Sequence, residues 1–317
     1  MSDSNHIIAI DTSNYTTSVA LMNTDGELLA NLKRPLKVKV GERGLRQSDA
    51  VFLHTVNIPD IMLELSRRFV DITPVAVGVS DKPRNEEGSY MPCFLSGVAA
   101  ASSISAALGV PLYRFSHQCG HIMAAIYSAS AFDLLDGKFA AFHLSGGTSE
   151  FLSVTPTGFD FKTEILGGTA DLNAGQVIDR IGVHMGFPFP AGQQIERCAL
   201  ENKNKIPKKK VSASGFNFNL SGLENMAKKL YKETGDRPLI SAFVLDYVTR
   251  CIISVCDEYE ARFGKARFVF AGGVMCNSII KRELSSRFSA CFAEPAMSAD
   301  NAVGIAALAL RRFREEV

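Results

Sequence analysis

HIIAIDTSNYTTSVALMNTDGELLANL, residues 6–32, reads as strand, tight turn, strand, turn, strand. Ile, Val and Thr supply the strand content, Asn14 the first turn and Asp25-Gly26 the second. A related pattern returns in KFAAFHLSGGTSEFLSVTPTGFDFKTEI, residues 138–165. There an apolar strand ends in Ser145-Gly146-Gly147-Thr148, a second strand follows, and Thr157-Gly158 turns the chain. Thr17-Ser18 and Thr148-Ser149 lie 131 residues apart and Gly26 and Gly158 lie 132 apart, so one single-residue gap aligns the two hairpins. Each opens one half of a chain of 317 residues, which points to a duplicated lobe.

Working outward, helical patterns occupy 50–69 and 94–108, with a buried strand, VAVGV, at 75–79. The second half offers helices near 174–186, 221–233 and 238–263, a strand at 266–274, then helices at 277–288 and about 300–315. Strands alternating with helices predict mixed or parallel sheets covered by helices. The expected architecture is two α/β lobes, residues 1–135 and 136–317, with a cleft between them and the last helix packed back on the first lobe.

At 46% hydrophobic and 21% charged residues, the composition is that of an ordinary globular protein. A formal charge of +1 excludes a global electrostatic pull towards nucleic acid or membrane. The one basic run, ENKNKIPKKK (201–210), reads either as a solvated loop or as a local contact for a phosphate backbone. No secretory signal and no run of eighteen apolar residues occurs, so no membrane span is expected. Seven cysteines without a CxxC pair fit neither a disulfide framework nor a zinc ribbon, and a reducing cytoplasm suits them.

Three short turns follow strands: DTSNYTT (11–17), LSGGTSE (144–150) and FAGGVMCN (270–277). Each alone satisfies the needs of a tight turn. Exposed backbone N–H groups in such turns also cradle anions, and the helix opened by Asn277 adds a favourable N-terminus. Their recurrence in both halves makes phosphate binding a more specific signal than any one turn gives.

FSHQCGHIMAAI, residues 115–126, sets His117 and His121 four apart at the start of an apolar helical pattern. Side chains at i and i+4 share one helix face, so both imidazoles can serve one ion, although a hydrogen-bonded structural pair has the same spacing. Gln118 stands where a zincin helix carries its glutamate base, which removes that protease chemistry. Cys119 falls on another side of the helix and is no ligand. His143 on its apolar strand reads either as a cleft residue or as a core histidine. His6, His54 and His184 read as terminus, helix surface and helix face.

The distribution of turns over two duplicated lobes resembles the actin, sugar kinase and Hsp70 superfamily, which implies RNase H-like lobes clamping a nucleotide. With SHQCGH (116–121) added, the sequence resembles the TsaD family, enzymes of tRNA threonylcarbamoyl-adenosine synthesis once called glycoproteases. IIAIDTSNYTTSVAL is similar to that family's opening strand and turn, and HLSGGTSEF to its Ser-Gly-Gly loop. DLNAGQVIDRIGVHMGFPFPAGQQIE is similar to the segment carrying a substrate-contacting aspartate and a later glycine, here Asp179 and Gly192. FNLSGLEN, AGGVMCN and SADNAVGIA complete the ordered series.

The resemblance implies a divalent metal, Fe or Zn, on His117, His121 and Asp300. Asp300, at the head of the last helix, also suits an N-cap. Two imidazoles and a carboxylate leave coordination positions open for a substrate. The resemblance further implies that a threonylcarbamoyl-adenylate passes its acyl group to the exocyclic amine of a tRNA adenosine. Ser145, Gly146 and Gly147 would then hold the phosphate, with His143 and Leu144 adjoining. Gly272, Gly273 and Asn277 would border the adenosine, and Asp179 and Gly192 its ribose and base side. The tRNA would meet Lys203–Lys210, and partner subunits would join the complex.

The chain departs from the family at SDKPRNEEGSYMPCFLSG (80–97), where a short Gly-Pro-Gly loop is usual. Glu224-Asn225 replaces a lysine and Gln176 a glutamate. These changes raise one alternative, a paralogue using similar adenylate chemistry on another acceptor; a second, of a different class, is a non-catalytic scaffold or regulatory subunit resembling the family's inactive partner protein.

Overall fold

The computed structural model of the chain describes residues 5–13, 15–37 and 45–317. Asn14, expected at the first turn, lies outside them. The first series of elements is β1 (Asn5–Ser13), β2 (Thr16–Asn23), β3 (Leu28–Pro35), α1 (Gln47–Arg68), β4 (Thr73–Lys82), α2 (Phe94–Leu108), β5 (Leu112–Ser116) and α3 (His117–Ser128). The second opens with β6 (Phe139–Leu144), β7 (Ser149–Thr157), β8 (Asp160–Thr169), α4 (Ala174–His184) and α5 (Gly192–Leu200). Then follow β9 (Ala213–Ser214), β10 (Asn217–Phe218), α6 (Ser221–Thr234), α7 (Arg237–Phe263) and β11 (Arg267–Ala271). α8 (Ser278–Ser285), β12 (Ser289–Phe292), α9 (Pro295–Ser298) and α10 (Val303–Glu316) end the chain.

The two sheets repeat one topology. The first runs β3-β2-β1-β4-β5; the second, read the same way, runs β8-β7-β6-β11-β12, with β10 and β9 added beyond β8. β1 pairs antiparallel with β2 and parallel with β4, which pairs parallel with β5. β6 repeats this with β7, β11 and β12. Both turns matched in the sequence use a glycine in the left-handed region: Gly26 at φ 97° and Gly158 at φ 62°.

Two compact units result. The first comprises the chain up to Gly137 together with Thr155–Lys162 and Ala296–Val317; the second comprises Lys138–Val154 and Thr163–Pro295. In the first, eight of the nine β1 residues are buried because helices cover both faces of the sheet, which explains the near-continuous apolar run. Ile8, Ile10, Val19, Leu21, Val77 and Val79 pack with Ile61 and Leu65 of α1 on one side. α10 lies against β4 and α3, close enough that a Cβ on Gly78 would stand 2.9 Å from the Ala309 Cβ. In the second unit the core is aromatic. Phe142 stacks on Phe151 and Phe270 at 4.5 and 5.4 Å between centroids, and Phe270 on Phe292 at 4.7 Å.

The boundaries differ from expectation where backbone hydrogen bonding decides them. The strand expected over 266–274 ends at Ala271, because Gly272 at φ 93° leaves the extended region. The helix expected over 277–288 stops at Ser285, and Ser289–Phe292 becomes β12 by parallel pairing with β11. α5 was not anticipated, and the last helix begins at Val303 rather than about 300. α7 is long and apolar enough to cross a membrane, but 83% of that window is buried within the protein. His54, expected on a helix surface, is fully buried on α1 with Nδ1 2.8 Å from Thr17 Oγ1.

Candidate functional site

In the first unit, Ser116 starts α3 by accepting from the Cys119 N–H, at the point where β5 ends. This places His117 and His121 on the first two turns, on one face. α10 crosses α3 where both helices carry glycine, and a Cβ on Gly304 would stand 1.8 Å from the Gly120 carbonyl oxygen. That close approach brings the residues preceding α10 to the histidine face. Asp300 lies three residues ahead of α10 and does not cap it. Asn301 Oδ1 instead accepts from the Val303 N–H at 2.9 Å, which leaves the Asp300 carboxylate for the histidines.

Three donor atoms converge. His117 Nε2 and His121 Nε2 are 3.0 Å apart, and Asp300 Oδ1 lies 3.6 and 3.5 Å from them. A tetrahedral ion with bonds of about 2.0–2.1 Å separates its donors by about 3.3 Å, so these atoms fit one ion. Among the described residues this is the one group of three or more such side chains close enough to hold a metal. Cys119 is apart from it, with Sγ accepting from Asn85 Nδ2 at 3.3 Å.

Behind His117 stands Asp11, fully buried, with Oδ1 2.9 Å from His117 Nδ1 and accepting from Ser80 Oγ at 2.5 Å. Burial works against the His117 imidazolium, yet Asp11 and then Asp300 raise its pKa to about 10. Burial and the neighbouring His117 charge push His121 down. Burial also disfavours the Asp300 carboxylate, but its closeness to both histidines holds it well below the usual range. Without an ion, two carboxylates thus share one imidazolium, a net negative centre suited to a cation. Asp11 and Ser80 escaped sequence reasoning as a supporting pair. The available signal was a carboxylate inside an otherwise apolar strand.

The second unit sets His143–Gly147 and Gly272–Asn277 at the carboxyl ends of the adjacent parallel strands β6 and β11, the usual ligand edge of open α/β sheets, whereas Asp179 lies on α4 and Gly192 opens α5. His143 and Leu144, both buried, end β6, and His143 pairs with Ala271 of β11. Ser145 Oγ accepts from the N–H of Gly147 and Thr148, and the Ser145 carbonyl accepts from Gly175 N–H at the start of α4. A Cβ on Gly272 would stand 2.3 Å from the Leu144 carbonyl oxygen, so packing demands that glycine. A Cβ on Gly146, Gly147, Gly192 or Gly273 would meet nothing within 4 Å. Packing leaves those four open to a ligand. Asn277 caps α8, accepting from Ile279 and Ile280 N–H.

Asp179 on α4 is half-buried and accepts from Ala191 N–H at 2.7 Å, at the residue before α5. Burial raises its pKa against the opposing pull of the Ala191 and Gly192 N–H groups. The five lysines of 203–210 are exposed. Lys208 pairs with Asp246 at 2.5 Å, and the Lys209 carbonyl accepts from Arg250 at 2.7 Å, which fastens this loop to α7.

Comparison with known proteins bears on these features. The family described as TsaD, tRNA N6-adenosine threonylcarbamoyltransferase, matches residues 55–307. A Streptococcus suis protein of that name is 28% identical over 98% of this chain and 93% of its own length. One from Christiangramia forsetii is 30% identical over 88% of this chain and 83% of its own. Among solved structures, T. kodakarensis HypF shares the fold with a TM-score of 0.64 at 13% identity, covering 98% of this chain. This chain spans 48% of that HypF chain. Component A of the (R)-2-hydroxyglutaryl-CoA dehydratase from Acidaminococcus fermentans shares it with a TM-score of 0.55 at 13% identity, over 98% and 99% of the two chains.

Proposed function

The chain belongs to the TsaD family, and from that premise we propose that it is a metal-dependent tRNA N6-adenosine threonylcarbamoyltransferase. The observation that carries the metal part is the convergence of His117 Nε2, His121 Nε2 and Asp300 Oδ1 within 3.6 Å. These three would hold one divalent ion, Fe or Zn. When bound, the ion would supply Lewis-acid polarisation and a template for the acyl donor.

The donor in this reading is a threonylcarbamoyl-adenylate. The open backbone at Gly146 and Gly147, beside the α4 N-terminus, suits its phosphate. Gly272, Gly273 and Asn277 would border the adenosine, and Asp179 with Gly192 its ribose side. Asp179 already accepts from the Ala191 N–H just ahead of α5, so a ribose contact would share a carboxylate that also holds the start of that helix. The acceptor would be the exocyclic amine of a tRNA adenosine, met in the cytoplasm, with partner subunits in the complex.

A second reading keeps the chemistry and changes the acceptor. The departing stretch 80–97, which structurally is the end of β4, a loop and the start of α2, touches α3 directly: the Pro83 carbonyl accepts from Gln118 N–H at 3.0 Å, and the Phe94 ring centroid lies 6.0 Å from that of His117. A scaffold role is disfavoured, because a scaffold needs no such triad. Two measurements test the proposal. Metal analysis of purified protein should find metal that His117→Ala loses; equal content in both would sink the site. Preformed threonylcarbamoyl-adenylate with unmodified tRNA, with and without partner proteins, should yield modified adenosine. Failure under every condition would hand the case to the paralogue.

A further inference from the structure

His117 is held from behind as well as by its helix. A neutral imidazole has one N–H and one lone pair, and the group opposite one nitrogen decides which is which. A carboxylate can only accept. With Asp11 Oδ1 2.9 Å from Nδ1, the neutral form of His117 that can bind an ion, once the imidazolium has given up its Nε2 proton, keeps its proton on Nδ1 and its lone pair on Nε2, which faces His121 and Asp300. Ser80 Oγ donates to the same Oδ1 and so fixes the carboxylate.

The arrangement is costly for the fold. Asp11 is fully buried, its Oδ2 meets no donor, and among the described residues its one ion pair is with His117. A buried carboxylate with one bare oxygen destabilises unless its charge is used. An asparagine of the same shape would accept from Nδ1 without burying a charge. We propose that Asp11, steadied by Ser80, is the positioning residue of the metal centre: it commits His117 Nε2 to the ion and makes that nitrogen a stronger donor. Such outer partners of ligating histidines set metal affinity by about 10–100-fold.

This inference rests on the metal reading above, and its test separates the two. The full chain is titrated with zinc against a chromophoric chelator, as wild type, Asp11→Asn, Ser80→Ala and His117→Ala. The expected order is tight binding by wild type, binding weakened by about 10–100-fold in Asp11→Asn, a smaller loss in Ser80→Ala, and no binding in His117→Ala. Histidine 15N and 1H spectra of the zinc-loaded wild type should show His117 protonated at Nδ1, with that proton shifted far downfield by the carboxylate. In Asp11→Asn it should move upfield while Nε2 stays the ligand, a change that loss of packing alone would not give. Undiminished affinity in Asp11→Asn, or zinc on His117 Nδ1 in the wild type, overturns the inference and leaves the metal site standing. No zinc on the wild type overturns both. Should Asp11→Asn fail to fold, the wild-type spectrum and Ser80→Ala decide.

Discussion

Asp171 accepts from the backbone N–H of Leu172, Leu220 and Ser221, which tethers the segment after β8 to the start of α6. The little burial it has disfavours its charge, but the Leu220 N–H, the Ser221 hydroxyl and N–H, and the Leu172 N–H together hold the carboxyl far below the usual range. A depressed folded pKa means stability that is full above the ordinary carboxylate pKa and lost as pH falls through the folded value. Asp171→Ala should therefore cost about 1 kcal/mol near neutral pH, as lost caps do, with exposure keeping the figure modest. Chemical denaturation of both proteins from pH 7 downwards should show a constant difference that begins to shrink as pH falls below about 4, the unfolded carboxylate pKa; a difference that stays constant below that would count against the tether. None of this was legible in the sequence, since nothing local marks a cap that reaches about 50 residues along the chain. His117, His121 and Asp300 were legible only through ordered motifs, whereas Asp11 needed a neighbour supplied by β4. Gly272 was legible as a turn. Its Ala variant should lose at least about 1 kcal/mol, because φ 93° and the Leu144 carbonyl both oppose a Cβ.

Among elements, the crossing of α3 and α10 decides where His117, His121 and Asp300 meet, and its glycines rank the expected damage. Gly304→Ala would drive a Cβ into the Gly120 backbone at 1.8 Å, and backbone yields poorly. A loss near the upper end of overpacking costs, about 3 kcal/mol, is expected, with zinc affinity falling as Asp300 moves away. Gly120→Ala meets Ile305 Cδ1 at 2.8 Å, the movable end of a side chain, and should cost about 1 kcal/mol. Thermal melts of the two variants would reverse this order if the crossing were loose. The long helices α1, α2, α6 and α7 were readable from periodicity or apolar content. α5, with nine residues, and β12, with four, were too short to show a period. β12 exists because β11 offers an unpaired edge, a tertiary fact absent from its own sequence.

For the whole molecule, the two hairpins 131 residues apart were enough to indicate duplication, because each lobe rebuilds its sheet from the same opening strands. The return of α10 to the first unit follows from packing on β1, β4 and α3, where Gly78, Gly120 and Gly304 make room. Charge is the remaining property of that scale. At a formal +1 the chain has no general attraction for RNA, so tRNA binding must draw on local sites. Lys203, Lys205, Lys209 and Lys210 are exposed, while Lys208 is already paired with Asp246, and the loop is anchored on α7 rather than loose. Each phosphate neutralised on a nucleic acid adds about 0.7–0.9 to the slope of log affinity against log salt. Replacing those four lysines with glutamine should flatten the slope for tRNA by about that amount per lost contact. It should leave zinc affinity untouched, since the triad belongs to the other unit. Anisotropy titrations of labelled tRNA over a salt series would measure it, and an unchanged slope would remove this loop from the tRNA surface.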